Sequence, residues 1–272
     1  GTTSSDFEIA GSAMFYSNSL ASRTPSGTTN RRTYTISMWA KRCDILNTNN
    51  IIFCAGESTD DQFNIFFREH LTLIDETSNS ENFRLVTNAH YYDTSAWYHI
   101  VFAVDTTQAT DSNRLKLYVN GVQVTDFSTA NYPTQNLDTN VNRNINHSIG
   151  GRGYQNSQYF DGYLAECILV DGQQLTPSSF GEFDSDSGIW KPINPSGVTF
   201  GTNGHYYNFA TKATDPVDAS GNGLNMSSSN VLATDYAKDT PLNNHCVINA
   251  QVNTPYTTLS DGNLFVDVTS TG

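Results

Sequence analysis

Apolar and polar residues alternate along the stretch TYTISMWAKR, which begins at Thr33. One face of this stretch holds Tyr34, Ile36, Met38 and Ala40, and the other holds Thr33, Thr35, Ser37 and Trp39. A repeat of two residues is typical of a β-strand, because successive side chains of a strand point to opposite sides of the sheet. The pattern therefore predicts a strand with one buried face.

Further short apolar runs follow, separated by clusters of turn-forming residues such as GESTDD and ETSNSE. The next four runs are NIIFCA (50–55), QFNIFFR (62–68), LTLID (71–75) and NFRLV (82–86). The apolar run WYHIVFAV (97–104) precedes RLKLYVNGVQV (114–124), in which Asn120 and Gly121 predict a tight hairpin turn. Short strands at a spacing of about 8–12 residues are typical of a β-sandwich or barrel.

Helical patterns are scarce along the chain. No segment keeps an apolar period of 3.6 residues, and the one short helix candidate covers residues 177–183, with Thr176 as its N-cap and Pro177 at its first position. The sequence therefore predicts an all-β protein. We expect an antiparallel jelly-roll β-sandwich with a smaller β-rich C-terminal extension.

The character of the sequence changes after Trp190, where KPINPSGVTFGTNG is rich in Pro, Gly and polar residues. Such a composition is typical of a domain boundary. We expect a jelly-roll domain over 1–190, followed by a linker and a small β-rich module over 191–272. The second part has strand-like pieces (HYYNF, VINAQV, GNLFVDV) but few apolar residues, so it should rest on the first domain or on another chain.

The composition suits a globular β protein and argues against several partners. The 272 residues are 37% hydrophobic and only 15% charged, with 14 Tyr and 15 Phe. A net charge of −13 opposes binding to nucleic acid or to an anionic membrane. No stretch reaches the ~18 apolar residues of a membrane span, and the first residues do not resemble a secretion signal.

Cysteine and histidine positions give little sign of disulfides or metal sites. Cys43, Cys54, Cys167 and Cys246 are too few and too irregularly spaced for a disulfide scaffold. We expect free buried thiols and synthesis in a reducing cytosol. The six histidines lie far apart, without an H-E-x-x-H or H-x-H pair, so we expect no metal role for them.

Several of these stretches, taken in order, resemble one family. TYTISMWAKR, WYHIVFAVD, RLKLYVNGVQV and IGGRGYQNSQYFDGYLAECILVDGQQLTPSSFGEF look like the laminin G-like, concanavalin A-like jelly roll, in the version found in virion structural proteins of marine bacteriophages. The resemblance covers residues 7–190. Later pieces such as GTNGHYYNFA and DTPLNNHCVINA are similar to the connecting region that follows this jelly roll in those proteins.

The resemblance implies a virion surface protein without catalytic activity, made in the host cytoplasm. It would be a tail fibre, an appendage or a capsid decoration, assembled as a homo-oligomer such as a trimer. Its jelly roll would bind a host-surface glycan or a partner virion protein. The alternative is a capsid decoration or assembly protein that binds no glycan, and a polysaccharide-degrading enzyme of the same fold comes third.

Two acids in FDGYLAECILVDGQQLT, Asp161 and Glu166, bear on the enzyme hypothesis. Glycosidases that share this sandwich carry an E-x-D-x-x-E or E-x-D-x-E cluster on one strand, whereas the acids here are dispersed. Five positions apart, the two acids should point to opposite faces of a regular strand. Glu166 shares the parity of Leu164, Ile168 and Val170, which indicates either a buried structural acid or a residue below a ligand groove.

Two loops are candidates for calcium, the ion that related jelly rolls hold with loop carboxylates and carbonyls. Asp184 and Asp186 have the D-x-D-x-G spacing of a calcium loop, although the later Glu of an EF-hand is missing. Asp105 and Asp111 flank the loop DTTQATDSN. Ordinary turn acids are the alternative at both places.

Two other loops are candidates for glycan binding, which needs exposed aromatic rings together with amides and charged groups that bond hydroxyls. The loop IGGRGYQNSQYF supplies Arg152, Tyr154, Gln155, Asn156 and Tyr159. The loop NAHYYDTS supplies Tyr91, Tyr92 and Asp93. An ordinary polar loop explains either stretch equally well.

Overall fold

Twenty short strands make up nearly all of the regular structure. The computed structural model describes residues 7–45, 48–211, 215–245, 257–260 and 265–268. In chain order the strands are β1 Ser12–Phe15, β2 Leu20–Arg23, β3 Thr33–Arg42, β4 Asn50–Gly56, β5 Gln62–Phe67, β6 His70–Thr77, β7 Ser80–His90, β8 Tyr98–Asp105, β9 Leu115–Val119, β10 Val122–Gln123, β11 Phe127–Asn131, β12 Asn146–Ile149, β13 Gly162–Asp171, β14 Gly181–Phe183, β15 Trp190–Pro192, β16 His205–Tyr207, β17 Ser227–Ser229, β18 Tyr236–Ala237, β19 Thr257–Ser260 and β20 Phe265–Val268. The helices of the described residues are 3₁₀ turns of three residues, and none of them is long and apolar enough to cross a membrane.

The strands form two large antiparallel sheets. Sheet 1 has the order β10-β9-β8-β3-β13-β1-β18, with β16 also paired to β13, and sheet 2 has the order β11-β7-β6-β5-β4-β12-β2-β17. The pairs β14–β15 and β19–β20 are separate two-stranded sheets. The prediction of an antiparallel β-sandwich is confirmed. Among the described residues, strands that follow residue 190 belong to both large sheets: β16 and β18 join sheet 1, and β17 joins sheet 2.

The core between the sheets is aromatic. The rings of Phe63 in sheet 2 and Phe102 in sheet 1 stack with their centroids 5.8 Å apart, within a single large cluster of buried side chains. The apolar positions of β3 predicted from the alternation belong to this cluster. The other face of β3 is buried too, which the alternation did not predict, because Trp39 packs in a second cluster on the outer face of sheet 1.

The outer face of sheet 1 is covered by later parts of the chain. Trp190 of β15 stacks on His99 of β8, and His99 stacks on Trp39 of β3. Further along the sheet, Ile168 and Val170 of β13 share a third cluster with Phe180 and Tyr206. Polar residues of β3 such as Ser37 are therefore buried beneath the covering segments rather than exposed to water.

Of two local predictions, the structure confirms the hairpin and contradicts most of the helix. Asn120 and Gly121 both have positive φ, and they join β9 to β10 in register, so the predicted hairpin is confirmed. The helix predicted over 177–183 is wrong beyond its first turn. Only Pro177–Ser179 is helical, because the following residues extend as β14 and pair with β15.

A buried ion pair fastens the chain after β18 to sheet 1. The ammonium of Lys41, at the end of β3, lies 2.8 Å from a carboxylate oxygen of Asp239. Trp97 Nε1 donates to the other carboxylate oxygen over 3.3 Å. Among the described cysteines, Cys43, Cys54 and Cys167 carry free thiols, and Cys246 lies outside the described residues.

Gly150 and Gly172 have similar positive φ angles (+79° and +94°) in different surroundings, which allows a matched test. A Cβ on Gly150 would lie 2.2 Å from the Phe15 ring, whereas a Cβ on Gly172 would meet no atom within 4 Å. We predict that Gly150→Ala lowers the free energy of unfolding by about 2–5 kcal/mol, because overpacking adds to backbone strain. Gly172→Ala should cost only the strain, about 1–2 kcal/mol. Urea denaturation checks both values, and equal losses would contradict the role of the Phe15 contact.

Candidate functional site

A groove of about 530 Å³ lies on the outer face of sheet 2. We call it the sheet-2 groove and define its floor by the outward residues of β5, β6 and β7. From β5 come Gln62, Asn64 and Phe66. From β6 and β7 come Thr72, Ile74, Glu76, Arg84 and Val86.

Strand alternation positions the floor. On β5 the residues between the groove residues, such as Phe63 and Ile65, point into the core, and Leu73 of β6 and Leu85 of β7 do the same. The register places Asn64 opposite Ile74, and Ile74 opposite Arg84. An amide, an apolar side chain and a guanidinium therefore follow one another across three strands.

One wall of the groove comes from the loop at residues 150–160. Arg152 lines the groove, and its guanidinium lies 5.7 Å from the centroid of the Tyr154 ring. Tyr154 donates from its hydroxyl to Gln62 Oε1 over 2.9 Å, which ties the loop to the floor. Arg152 Nη1 donates to Gln155 Oε1 over 3.1 Å. Three of the predicted glycan-binding residues are thus brought together at this wall.

Three buried polar atoms of the groove residues have no hydrogen-bond partner among the described residues: Asn64 Oδ1, Arg152 Nε and His70 Nδ1. Buried polar atoms are usually paired in proteins. The fold therefore leaves these three polar atoms of the groove residues without a hydrogen bond, as it does nine others elsewhere among the described residues.

A row of three neighbouring rings, those of His70, His90 and Tyr92, begins at the groove. His70 lines the groove and lies 4.3 Å from His90, centroid to centroid, and His90 lies 5.0 Å from Tyr92. Tyr92 is 42% exposed. The predicted aromatic residue Tyr92 does not line the groove and is connected to it through the rings of His90 and His70.

Tyr91 and Asp93 have other roles than the predicted one. Tyr91 is buried in the core, where its ring packs edge-on against Tyr98 and Phe67, so the prediction that it binds glycan is corrected. Asp93 accepts hydrogen bonds from the backbone N–H and hydroxyl of Ser95. These bonds hold the turn that precedes β8.

A second opening, about 560 Å³ in volume, adjoins the groove at Asn49 and Arg68, which line both, and we call it the loop cleft. Asp44, Asp161 and Tyr159 are among the residues that line it. Burial, and then the nearby Asp44 carboxylate, raise the pKa of Asp161 to about 6. Tyr159 donates from its hydroxyl to the carbonyl of Asn156. Tyr159 therefore faces a different opening from Arg152.

The calcium candidates are engaged in turns. Asp184 Oδ1 accepts from the backbone N–H groups of Asp186 and Ser187, and Oδ2 lies 3.1 Å from Lys191 Nζ. These contacts, with the Ser187 bonds first, lower the pKa of Asp184. The Asp184 carboxylate is thus committed to the turn and to Lys191, an arrangement that does not fit a cation ligand.

The second calcium pair shows the same behaviour. Asp105 accepts from the hydroxyl and backbone N–H of Thr107 and from Gln108. Asp111 accepts from the backbone N–H of Ser112. Among the residues that the structure describes, no group of three or more His, Cys, Asp and Glu side chains could hold a metal ion.

Glu166 lies on β13 beside β16 and lines neither opening. A β-bulge falls between Ala165 and Ile168, and Glu166 itself has φ of +50°. The bulge shifts the alternation, so the predicted shared face is wrong: Leu164 points into the core between the sheets, whereas Ile168 and Val170 point outward. Tyr206 donates a short hydrogen bond to Glu166 Oε2, and burial raises the pKa of Glu166 to about 7.

A buried serine and histidine on sheet 1 resemble a catalytic pair but are poorly suited to catalysis. Ser37 Oγ and His99 Nε2 are 2.9 Å apart, and Trp190 Nε1 donates to His99 Nδ1 over 2.9 Å. Because the indole nitrogen only donates, Nδ1 is the acceptor and Nε2 carries the proton. Burial lowers the pKa of His99 to about 3. His99 therefore donates to Ser37 and does not act as its base.

The sequence prediction missed most of the groove floor. Gln62, Asn64 and Arg84 belong to runs that were interpreted only as strands, and Glu76 belongs to the cluster ETSNSE, which was interpreted as a turn. The available signal was the polar side chains that alternate with Phe63 and Ile65 in QFNIFFR. Such side chains on neighbouring strands share an outer face once the strand order is known.

Comparisons with known proteins identify the architecture. The family described as "Concanavalin A-like lectin/glucanases superfamily" matches residues 17–178. A search of curated proteins found no match. Solved structures similar to the chain include domain 4 of AbnA, a GH43 extracellular arabinanase from Geobacillus stearothermophilus in complex with arabinotriose, at 18% identity and TM-score 0.40, covering 55% of this chain and 65% of that chain.

Two other similar structures come from different sources. Domains LG4-5 of the mouse laminin alpha1 chain match at 14% identity and TM-score 0.45, covering 76% of this chain and 49% of that chain. The enzymatically active domain of bacteriophage CBA120 tailspike protein 2 matches at 10% identity and TM-score 0.39, covering 55% of this chain and 24% of that chain. The chain thus covers less than two thirds of each of these three structures.

Glu166 should make stability depend on pH in a defined direction. Its folded-state pKa is about 7 against an ordinary value of 4.5, so stability present below pH 4.5 is lost as the pH rises through 7. The side chain of Glu166→Gln cannot ionise. We predict that the difference in unfolding free energy, variant minus wild type, rises by up to about 3 kcal/mol as the pH goes from 4.5 to 8.

Urea denaturation at several pH values measures this difference directly. Glu8→Gln, at an exposed glutamate, is the matched control. Its unfolding free energy should change with pH in the same way as that of the wild type. A difference between Glu166→Gln and wild type that stays constant over this range would contradict a buried, protonated Glu166.

Proposed function

The chain belongs to the concanavalin A-like lectin/glucanase superfamily, whose family match spans more than half of it, and we propose that it is a carbohydrate-binding protein. The proposed site is the sheet-2 groove. The observation that carries the proposal is the mixture of side chains on the groove floor, where amides, a hydroxyl and a guanidinium alternate with Phe66, Ile74 and Val86. A sugar presents hydroxyls at its edge and C–H groups on its faces, and such a floor can bond the first and pack against the second.

The charge of the groove favours an acidic sugar. Arg68, Arg84 and Arg152 line it together with two carboxylates, Glu69 and Glu76, although the chain as a whole carries a net charge of −13. Arg84 Nε lies 2.7 Å from Glu81 Oε2, whereas Arg152 Nε has no hydrogen-bond partner among the described residues, and Arg bonds carboxylate or sulfate groups with paired donors.

We propose binding without cleavage. Hydrolysis of a glycosidic bond needs two carboxyl groups across one bond, one of them with a raised pKa. The acids with raised pKa lie elsewhere. Asp75 is turned inward to Asn82 and Asn140, and Asp235 accepts from the backbone N–H of Leu232. Glu166 lies beside β16, and Asp161 lines the loop cleft. In the groove, Glu76 accepts a hydrogen bond from Gln62 Nε2 over 3.0 Å.

We further propose that this module acts on the surface of a bacteriophage virion, as part of a homo-oligomer that contacts host glycans and other virion chains. The support is the resemblance of the stretches from TYTISMWAKR to IGGRGYQNSQYFDGYLAECILVDGQQLTPSSFGEF. The second candidate, a capsid decoration that binds no glycan, is favoured by one surface. There the exposed side chains of Val122, Phe183 and Ile189 lie around Trp190, which contacts Phe183 and packs against Gly121.

A glycan array containing neutral, sialylated and uronic-acid-rich glycans, followed by calorimetry with a bound glycan, tests the groove. We predict that Arg152→Ala weakens binding about 10- to 100-fold, because a charged hydrogen bond contributes about 1.5–3 kcal/mol. Asp161→Asn, at a residue that lines the loop cleft but not the groove, is the control and should keep wild-type affinity.

The same experiment separates the alternatives. Loss of binding in Asp161→Asn but not in Arg152→Ala would move the site to the loop cleft and contradict the groove. Absence of any glycan binding by the wild type would favour the capsid decoration. Cleavage of a bound polysaccharide that Glu76→Gln abolishes would show that the protein is an enzyme.

A further inference from the structure

Lys41, Asp239 and Asn244 lie together on sheet 1, in a cluster that glycan binding does not use. Lys41 is 1% exposed and Asp239 is fully buried. Lys41 Nζ donates to Asp239 Oδ2 over 2.8 Å, to Asn244 Oδ1 over 2.7 Å and to the carbonyl of His245 over 2.8 Å. All three protons of the ammonium group therefore have acceptors.

The orientation of the Asn244 amide is fixed from both ends. Its Nδ2 donates to the carbonyl of Ser95 over 2.7 Å, and its Oδ1 accepts from Lys41. An ammonium group only donates and a carbonyl only accepts, so the reverse orientation would lose both bonds. The carbonyl end of the amide thus faces the lysine nitrogen.

Asp239 is held against the lysine. Its Oδ1 accepts from Trp97 Nε1 and from the backbone N–H of His245, which leaves Oδ2 for Lys41. The surroundings are aromatic: Trp97 is buried, and the Tyr163 ring lies 6.0 Å from Lys41 Nζ. A nucleophile, an amide and a carboxylate therefore meet in a site that water enters poorly.

We propose that Lys41 and Asn244 join in an intramolecular isopeptide bond, with Asp239 as the acid and base. A proton passes from the Lys41 ammonium to Asp239 along their hydrogen bond, which leaves a neutral amine. The Lys41 nitrogen attacks Cγ of Asn244 and forms a C–N bond, and the bond from Cγ to Nδ2 breaks. The attacking nitrogen then gives up a second proton, so that of the two protons lost by Lys41 one goes to the departing nitrogen, which leaves as ammonia, and one stays on Asp239; no oxidant or cofactor is needed.

The geometry meets the physical requirements of this reaction. Reacting groups held in contact gain a large effective concentration, and a carboxylate in hydrogen-bond reach of the nucleophile can move its proton. Asn244 is exposed on its other side, which gives ammonia a path to solvent. The product replaces a buried ion pair with a neutral amide and a protonated Asp239, and burying charge is costly.

The bond would join β3 to a residue 203 positions later in the chain. It would fix the segment after β18 to sheet 1 by a covalent link in place of the ion pair. This inference is independent of the proposed function, because the cluster lies on sheet 1 and the sheet-2 groove lies on the other sheet.

Intact mass spectrometry of the purified full chain under denaturing conditions tests the proposal. We expect the mass of the wild type to be lower by one ammonia than the mass of its sequence. Trypsin should then fail to cleave after Lys41, and residues 33–42 should be recovered joined to residues 239–272. A wild type with the full sequence mass would overturn the proposal.

Variants separate the bond from other losses of ammonia, such as succinimide formation at Asn-Gly sequences. Asn244→Ala should restore the full mass, whereas Asn243→Ala at the neighbouring exposed asparagine should keep the deficit. Asp239→Asn should abolish the bond, with folding checked by circular dichroism. A mass deficit that persists in Asn244→Ala, or one without the linked peptide, would also overturn the proposal.

Discussion

The bulge in β13 is the constraint on which the arrangement of sheet 1 depends. β13 pairs with β3 on both sides of the bulge, so that Glu166 and Cys167 together oppose Met38. Along its other edge it pairs with β1 before the bulge and with β16 after it. The bulge thus marks the point at which the strand changes partner, and the bond from Tyr206 to Glu166 anchors the second partner there. A left-handed residue costs about 1–2 kcal/mol, which the docking of β16 must offset.

The two outer faces of the sandwich differ in how far other parts of the chain cover them. The chain after β13 returns over sheet 1, where Trp190, Phe180 and Tyr206 cover the outward side chains. Sheet 2 keeps polar side chains on its outward positions and carries a groove there. A binding surface on a sheet needs polar side chains that a ligand can reach, and a face covered by other parts of the chain does not offer them. The covering of one sheet therefore leaves the other as the face available to a ligand.

The sequence predicted the elements better than their surroundings. The bounds of β3 match TYTISMWAKR, because apolar and polar residues alternate along this stretch. The hairpin after Val119 follows from Asn120 and Gly121. Neither the bulge at Glu166 nor the burial of Tyr91 has a local signature. Tyr91 and Tyr92 are neighbours with opposite fates, since Tyr91 packs on Tyr98 only after β8 has returned beside it. The groove floor likewise combines β5, β6 and β7, and their shared outer face appears only in the folded sheet.

Holding the segment after β18 in place does not by itself explain why Lys41 is buried there. Removing two charges from water costs several kcal/mol per ion, and a well-packed apolar pair of similar volume is often as stable or more so. An apolar contact would therefore hold the segment after β18 equally well. What an apolar pair lacks is a nucleophile in contact with an amide and a carboxylate to move its proton. The saturated hydrogen bonding of Lys41 aligns these groups before any bond forms, so the same contacts that make the charge tolerable also prepare it to be lost.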